Sequence, residues 1–465
     1  MRILLVSPSQ ENVYGPGVRP PYPPLGLLYV GAVLLREGHN VELIDFDIDC
    51  SNEDDFLKKV KLCKPEIVGF TTVTPTFQSS LKLARKIKRL YNPFVVFGGP
   101  HPSAIPDEII KNKNIDGIII GEGEETISEF VKHKTKGETV PVCGMIQKQG
   151  KKLLKGDVRP FIENLDELPF PAWQLLKHKE KYSPPDALRL PVATVLTSRG
   201  CPYKCTFCQA PKLWGRKIRR RSVENVMEEI HLLTEKYGIK EIHFADDDFS
   251  HNKEWTLNIL DAMKRENIQV RFSFMNGLRI TNIDEEILTG MKNTGFINIG
   301  FGIESGSQRI LNRVKKGLRI CEVKEKMKLA KRMGFKTWAF FILGLPGESP
   351  STIKETIDFS LSLDLDFAKF FYLVPFPATE IYEEFRSKGF LRTNDFSKYG
   401  LYNEPVYEFP QLTRNEIKRA LVLAYLRFYL RPQKMLSILF KIRSITELKL
   451  NFRAVLFLLR KVLHP

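Results

Sequence analysis

Three of the seven cysteines lie within eight positions, in the segment TSRGCPYKCTFCQA at 197–210. Cys201, Cys205 and Cys208 follow the spacing C-x3-C-x2-C, and the short spacers let one loop hold all three thiolates. Electron-transfer iron–sulfur centres and closed zinc sites use four ligands, so this loop is one short. The spacing therefore favours a cubane cluster held at three irons, with an open coordination position at the fourth.

A zinc site is the main alternative, and it requires a fourth ligand. The nearest later histidine, His231, falls in a helical pattern, and His243 falls in a strand pattern. Both are interpreted as ordinary residues of the fold. Cysteines of the core without a metal role are a further alternative.

The composition limits the class of protein. A chain of 465 residues should contain more than one domain. Its 43% hydrophobic and 27% charged residues are typical of a soluble globular protein, and seven cysteines argue against a disulfide framework. The apolar run in MRILLVSPSQ is too short for a signal peptide, and no apolar run approaches the roughly 18 residues of a spanning helix. We expect a cytoplasmic protein.

The N-terminal third alternates strand and helix patterns. RILLVSP, NVELIDFD, EIVGFTTVT, FVVFGGP and DGIIIGEGEE are strand-like, with helical stretches between them. This alternation predicts a doubly wound, Rossmann-like parallel sheet over residues 1–140, with ligands bound beyond the carboxyl ends of its strands. The loops there include 7–9, 71–76, 98–101 and 121–124. No G-x-G-x-x-G opens the first helix, which disfavours a dinucleotide, and ordinary turns remain an alternative for these loops.

A second α/β series follows a Pro-rich linker at 141–190. Six strand-like segments, VATVLTS, EIHFADDDF, VRFSFMNG, FINIGFGIES, TWAFFILGLPGE and DFAKFFYLVPFP, are separated by helical patterns. They predict a full or partial TIM-like (β/α)6 barrel over 191–390, whose functional groups lie at the carboxyl ends of the strands. The cysteine loop directly follows the first of these strands.

The C-x3-C-x2-C loop with Phe207 before its last cysteine resembles the signature of the radical S-adenosylmethionine (SAM) superfamily. The resemblance implies a [4Fe-4S] cluster on Cys201, Cys205 and Cys208, whose open iron is chelated by the amino and carboxylate groups of SAM. Phe207 would lie against the adenine.

Further segments match the same superfamily in the same order. The resemblance implies contacts to SAM from residues of FADDDF, NGLRI, GIESGS and FILGLPGES, namely Asp246, Asp247, Arg279, Glu304, Ser305, Gly344, Leu345 and Pro346. Each has an alternative reading. The aspartates could form a solvated strand end or a helix cap, Glu304 a salt bridge, and the Gly344 segment a simple turn.

The first domain resembles the cobalamin-binding domain of B12-dependent radical SAM proteins, on the segments PPLGLLYVGAVLLREGHNVELID, GGPHPS and GEGE. The D-x-H-x-x-G motif that supplies a cobalt-ligating histidine elsewhere is absent, so the resemblance implies cobalamin bound without histidine ligation. The loops that would hold it contain Ser9, Thr72, Thr74, Gly98, Gly99, His101, Gly121 and Glu122.

The resemblance also implies a reaction. Reductive cleavage of SAM yields a 5'-deoxyadenosyl radical that abstracts hydrogen from an unactivated carbon, and methylcobalamin then delivers a methyl group. We expect a C-methyltransferase acting on a small-molecule or lipid substrate, with an external electron donor of flavodoxin or ferredoxin type. Radical ring formation or rearrangement is an alternative.

The tail is basic. Twelve Lys and Arg and two Glu lie in residues 411–465, which therefore carry +10 of the formal charge of +17. The helical region 391–465 contains basic amphipathic patterns, which are typical of elements that contact an anionic membrane surface, here the inner face. Packing of these helices on the barrel is the alternative. The high apolar content makes nucleic acid an unfavoured partner.

Two other classes fit less well. A methylthiotransferase on tRNA or protein would need three more cluster cysteines, and Cys50, Cys63 and Cys143 are not in suitable loops. A non-catalytic electron carrier or zinc module does not account for two ligand-binding domains.

Overall fold

The computed structural model describes residues 1–15, 18–184 and 186–432. The first part of the chain forms one seven-stranded sheet in the order β2-β1-β3-β4-β5-β6-β7. Its strands are β1 Arg2–Ser7, β2 Asn40–Asp45, β3 Ile67–Thr71, β4 Phe94–Gly98, β5 Gly117–Ile119, β6 Met145–Gln149 and β7 Lys152–Lys155. The first five are parallel, as the alternating pattern predicts.

Helices cover both faces of this sheet, which is why strand β1 is buried along nearly its whole length. They are α1 Glu11–Tyr14, α2 Leu25–Arg36, α3 Phe46–Asp49, α4 Glu53–Cys63, α5 Phe77–Tyr91, α6 Pro100–Ala104, α7 Pro106–Ile109 and α8 Glu124–Thr135.

Strands β6 and β7 were not predicted. They form an antiparallel hairpin on the edge of the sheet, inside the segment 141–190 that we interpreted as a linker. The first sheet therefore continues to Lys155, and the connecting segment after it consists of short turns.

The second part contains two three-stranded parallel sheets, β8-β11-β12 and β13-β14-β15, and the two-stranded ribbon β9-β10. The strands are β8 Val192–Val195, β9 Ser198–Arg199, β10 Arg219–Arg220, β11 Glu241–Phe244, β12 Arg271–Phe274, β13 Asn298–Glu304, β14 Lys336–Leu343 and β15 Phe367–Tyr372. The bridges Phe272–Phe296 and Leu278–Phe301 connect the two sheets into the expected partial barrel of six parallel strands.

Helices surround this barrel on the outside. They are α9 Ala210–Trp214, α10 Val223–His231, α11 Lys253–Arg265, α12 Glu285–Asn293, α13 Gln308–Arg313, α14 Ile320–Arg332, α15 Pro350–Ser362, α16 Glu380–Ser387 and α17 Arg414–Tyr429. A capping box of Ser349 and Thr352 begins α15, and another of Thr413 and Glu416 begins α17.

The basic tail begins with α17, which packs on the barrel. The hydroxyl of Tyr425 donates to the carbonyl of Phe370 at 2.9 Å, and that of Tyr429 donates to the carbonyl of Ala368 at 2.9 Å. The alternative that the tail packs on the barrel is thus confirmed for α17. The rest of the amphipathic pattern, at 433–465, lies outside the described residues. Among the described helices none has the length and apolarity to cross a bilayer.

Candidate active site

The cysteine loop connects β9 to β10. These two strands form an antiparallel ribbon, in which Arg199 pairs with Arg219, so the two ends of the loop are held side by side. Gly200 opens the loop with φ of 108°, and a Cβ there would lie 2.2 Å from the carbonyl oxygen of Lys217. A side chain is therefore excluded at this point. The backbone N–H of Cys201 donates to the carbonyl of Gly215 at 3.2 Å, which ties the first cysteine to the far side of the loop.

The three thiols are partly buried and influence one another electrostatically. Burial, followed by nearby carboxylates and by Cys205, raises the pKa of Cys201 to about 11 and that of Cys208 to about 12. Burial also raises the pKa of Cys205, against an opposing effect of Lys316. Metal-free thiols here are therefore protonated, and a bound cation is needed to hold them as thiolates.

The three aspartates after β11 have separate roles. The two oxygens of the Asp246 carboxylate are both engaged just before the cysteine loop. Oδ1 accepts from the hydroxyls of Thr197 at 2.7 Å and Ser198 at 2.5 Å, and Oδ2 accepts from the N–H of Thr197 at 3.2 Å. Asp248 accepts from the Asn282 amide at 2.9 Å. Only the side chain of Asp247 reaches solvent, although partial burial and then its two acidic neighbours raise its pKa to about 7.

Asp246 and Asp247 were both predicted to contact SAM, and their side chains have different surroundings. Asp246 positions the cysteine loop, whereas Asp247 presents a carboxyl group at the carboxyl end of the strand. The expectation of a solvated strand end describes Asp247 alone.

Glu304 lies at a β-bulge at the end of β13, with φ of 71°, which is unusual for a residue with a side chain. Its carboxylate pairs with the ammonium of Lys316 at 2.7 Å, and a Cβ on Gly302 would lie 2.8 Å from the same carboxylate oxygen. Glu304 therefore forms a salt bridge with Lys316, and its contact with SAM stays a prediction. Lys316 acts electrostatically on Cys205, so this pair adjoins the cysteine loop.

Arg279 lies flat on Tyr203, a residue of the cysteine loop, with its guanidinium carbon 3.6 Å from the ring centroid. Its Nη2 donates to the carbonyls of Lys316 and Gly317, each at 2.8 Å. Arg279 therefore connects the loop to the segment that carries Lys316.

Ser305 was predicted to contact SAM, and the structure directs its side chain elsewhere. Its hydroxyl is fully buried and lies 3.1 Å from that of Thr356 on α15. The backbone N–H of Ser307 donates to the same oxygen at 3.1 Å. The hydroxyl group therefore fixes the turn after Glu304.

The loop Gly344-Leu345-Pro346 after β14 is held in place by the buried carboxyl group of Glu348. Glu348 accepts from the N–H groups of Gly344 at 2.6 Å and Leu345 at 3.0 Å, and burial raises its pKa to about 8. The hydroxyl of Tyr407 donates to the carbonyl of Gly344 at 2.8 Å. Both backbone groups of Gly344 are thus engaged, which fixes a turn at the carboxyl end of the strand.

At the carboxyl edge of the first sheet, the loops after β3 and β4 are joined. Thr72 donates to the carbonyl of Gly98 through its N–H at 2.8 Å and its hydroxyl at 3.1 Å. Gly99 has φ of 98°, and a Cβ there would lie 2.9 Å from the carbonyl of Thr72. Ser103 links this loop to Gly121, whose N–H donates to the Ser103 hydroxyl at 3.0 Å.

His101 is fully buried in the same edge. Its Nδ1 lies 3.2 Å from the hydroxyl of Thr74, its ring is flanked by Phe77 and Phe396, and its Nε2 has no hydrogen-bond partner in the described structure. Burial lowers its pKa to about 4, so the ring is neutral at pH 7. Ser9, on the neighbouring loop, accepts from the N–H of Glu11 at 3.3 Å.

Glu122, predicted to bind cofactor, lies instead at the junction of the two parts of the chain. It accepts from Arg199 Nη1 at 2.8 Å and from Arg219 Nη1 at 2.9 Å, while Glu124 accepts from Arg199 Nη2 at 2.6 Å. All four side chains are at most 6% exposed. Because both arginines belong to the ribbon that clasps the cysteine loop, this network joins the loop after β5 directly to that ribbon.

The comparisons with known proteins agree with these two parts. The B12 binding domain model matches residues 13–131, and the Radical SAM superfamily model matches residues 195–360. An uncharacterized methyltransferase of Pyrococcus horikoshii is 36% identical over 444 residues, 95% of either chain. This chain belongs to the cobalamin-dependent radical SAM family. Its cofactors are a [4Fe-4S] cluster, SAM and cobalamin.

Other relatives and solved structures are more distant. The cytidylyl-2-hydroxyethylphosphonate methyltransferase of Streptomyces wedmorensis is 28% identical, covering 89% of this chain and 87% of that protein. The cobalamin-dependent SAM radical enzyme OxsB has a TM-score of 0.76 at 18% identity and covers 99% of this chain and 71% of its own. TsrM of Kitasatospora setae has a TM-score of 0.68 at 20% identity, with 83% and 74% covered, so the fold is shared.

The residues present fit both resident groups of this radical SAM enzyme. Three soft thiol donors on one clasped loop suit iron. No three His, Cys, Asp or Glu side chains in the described ranges already converge on one metal position, so the loop presents the donors without closing them around an ion. At the carboxyl edge of the first sheet, Ser7 Oγ and His101 Nε2 are buried without hydrogen-bond partners in the described structure, and Gly99 allows its loop to approach the backbone of Thr72 closely.

Three functional features were missed by sequence reasoning. Lys316 stands in the loop NRVKKG, which has no motif, and Glu348 looked like part of a turn. Arg199 precedes the cysteines in TSRGC, and its pairing with GEGE across 75 residues or more leaves no local pattern. For Arg199 a signal was available, since it is a charged residue next to the cysteine motif whose immediate neighbours, Ser198 and Gly200, are small.

Proposed function

We propose that this enzyme methylates an unactivated carbon of a small-molecule or lipid substrate. The observation that carries the proposal is the buried network of Glu122, Glu124, Arg199 and Arg219, which fixes the cobalamin domain against the ribbon of the cysteine loop. A methyl donor and a hydrogen-abstracting radical must reach the same carbon, so their two domains need one fixed arrangement.

When bound, the cluster with SAM supplies hydrogen abstraction and cobalamin supplies the methyl group. We infer that Cys201, Cys205 and Cys208 hold the cluster, and that Asp247, the Glu304–Lys316 pair and the Gly344 loop surround SAM. Phe207, which is partly buried against the core, would cover the adenine. Asp246 and Arg279 position the cysteine loop through Thr197, Ser198 and Tyr203.

On the cobalamin side, we infer that the Gly98-Gly99 turn and the Thr72–Thr74 loop hold the nucleotide tail, with Ser9 and Gly121 beside them. His101 stays neutral and enclosed, which supports binding without histidine ligation to cobalt. The relatives named methyltransferases, among them a hopanoid C-3 methylase of Methylococcus capsulatus that is 27% identical, support methyl transfer.

A second candidate function is radical ring formation. The anaerobic magnesium-protoporphyrin IX monomethyl ester cyclase of Cereibacter sphaeroides is 26% identical over 93% of this chain and favours that alternative. A methylthiotransferase is disfavoured, although a putative one from Methanocaldococcus jannaschii is 28% identical. Cys63 is the last residue of helix α4 and does not lie in a loop, so Cys50, Cys63 and Cys143 do not together line the loops at the carboxyl edge.

The test is anaerobic reconstitution with iron, sulfide and hydroxocobalamin, followed by reaction with SAM carrying a CD3 methyl group and a flavodoxin or ferredoxin as the electron donor. We expect bound cobalamin to become labelled and the label to reach an acceptor from the producing cells. Failure to bind cobalamin would contradict methyl transfer, and unlabelled product with a new ring would support the cyclase alternative. Flotation with anionic liposomes, with and without residues 411–465, tests the membrane contact.

A further inference from the structure

The inner face of the barrel carries polar groups that the fold does not satisfy. Along β15, Ala368 and Phe370 contact the outer helix α17, so Lys369 between them faces the lumen. On β14, Phe341 stacks on Phe370 on the outer side, so Trp338 and Phe340 also face inward.

The ammonium of Lys369 lies among aromatic rings. It is 4.6 Å from the ring centroid of Trp338 and 5.4 Å from that of Phe340. Within the described residues it has neither an ion pair nor a hydrogen bond. Burial lowers its pKa, and Asp186, which acts from further away, is the one carboxylate that opposes this effect.

A second lumen group lacks a partner. The Nε1 of Trp338, a residue 4% exposed, donates to no acceptor in the described structure. The indole lies against Gly300, where a Cβ would approach it to 2.1 Å, so glycine is required for this placement. Burying a donor without an acceptor costs free energy, and this cost is removed when a bound ligand supplies the acceptor.

An aromatic wall extends from these donors along the lumen. The ring centroids of Trp338 and Phe340 are 4.7 Å apart, those of Phe340 and Phe371 are 5.9 Å apart, and those of Phe371 and Tyr402 are 5.9 Å apart. Such a wall packs a flat or apolar body.

We propose that the barrel lumen binds an anionic group of the substrate, a carboxylate or a phosphate, at Lys369 and Trp338 Nε1, while the aromatic wall packs the apolar body of the same molecule. This rests on the proposed function, since the bound molecule is the one methylated. The substrate would then be an amphipathic acid, because a neutral hydrocarbon has no anionic group to bind at Lys369.

The test is calorimetric binding to the anaerobically reconstituted enzyme in the presence of SAM. The probes are indole-3-acetate and phenyl phosphate, with indole-3-acetamide and phenol as neutral counterparts. We expect an anion to bind the wild type and to bind Lys369→Met roughly ten- to a hundredfold more weakly, with less than about twofold change for the neutral probes. Which anion binds more tightly distinguishes a carboxylate from a phosphate.

The matched control is Lys354→Met, because Lys354 is on the outer helix α15 with its side chain 72% exposed. It should bind the probes as the wild type does. Lys369→Arg should retain anion binding, and Trp338→Phe should weaken it severalfold. Since Lys369→Met removes a buried cation that has no ion pair, it should not unfold at a lower temperature than Lys354→Met.

Several results would overturn the proposal: no binding of either anion, equal anion affinity in Lys369→Met and the wild type, or weakened SAM binding in Lys369→Met, which would assign the lysine to SAM. A lower unfolding temperature of Lys369→Met would assign it a structural role. If Lys369→Met does not fold, Lys369→Arg and Lys369→Gln replace it in the comparison. Because probe binding needs neither cobalamin nor turnover, failure of methyl transfer is distinguishable from failure of this proposal.

Discussion

Replacing Glu122 with glutamine should destabilise the enzyme far more than the same change three positions later. Glu122→Gln keeps the side-chain volume but removes the carboxylate that Arg219 pairs with at 2.9 Å. Arg219 then keeps only carbonyl oxygens as acceptors, while Arg199 keeps Glu124. Removing one partner of a buried ion pair costs about 3–5 kcal/mol, because a buried charge is left uncompensated.

The assay is differential scanning calorimetry of the anaerobically purified protein, followed by absorbance of the reconstituted cluster. For a chain of 465 residues, a loss of about 3–5 kcal/mol corresponds to a fall in unfolding temperature of about 3–5 °C. The control is Glu125→Gln. Glu125 is 52% exposed and lies 3.4 Å from Arg159, and such surface pairs contribute about 0–1 kcal/mol.

The iron content and the unfolding temperature of Glu122→Gln distinguish a role of the network in positioning the cysteine loop from a role in stability alone. If Glu122 positions the cysteine loop, Glu122→Gln should also lower iron content or alter the cluster spectrum at temperatures where the protein is still folded. If Glu122→Gln and Glu125→Gln unfold within about 1 °C of each other, the buried network does not contribute the stability assigned to it.

Three further changes test local parts of the account. Gly200→Ala should lower iron incorporation strongly, because its Cβ would lie 2.2 Å from a carbonyl oxygen, whereas Gly150→Ala, at φ of 60° in open space, should not; equal iron content would contradict this. Burial lowers the pKa of His101 from 6.5 to about 4, so the unfolded state binds more protons between these values and stability is lost as pH falls. In urea titrations, the free energy of unfolding of His101→Phe should fall by about 3 kcal/mol less than that of the wild type as the pH is lowered. If both proteins show the same dependence on pH, His101 is not the group responsible. Burial raises the pKa of Glu348 from 4.5 to about 8, so stability falls as pH rises through this window. Glu348→Gln should therefore become more stable relative to the wild type from pH 5 to 8, and a constant difference would contradict the buried neutral acid.

The parallel strands of both domains were predictable because their apolar runs are buried on both faces and end at turn residues. The hairpin β6-β7 was missed, although its two-residue turn, Gly150-Lys151, between two short strand-like runs was an available signal. The cysteine loop was predictable because its chemistry is local. Glu122, Asp246 and Ser305 were placed near cofactors because they flank motifs. Their side chains instead bind distant parts of the same chain, and such pairing leaves no trace in local spacing.

The central claim is that the three cysteines of the clasped loop support radical SAM chemistry. It is tested most directly by measuring 5'-deoxyadenosine formed from SAM under anaerobic reduction, in the wild type, in Cys208→Ala and in Cys321→Ala. Cys321 is an exposed thiol outside the loop and serves as the control. We expect 5'-deoxyadenosine from the wild type and from Cys321→Ala, and none above background from Cys208→Ala. Reductive cleavage of SAM by Cys208→Ala at the wild-type rate would contradict it.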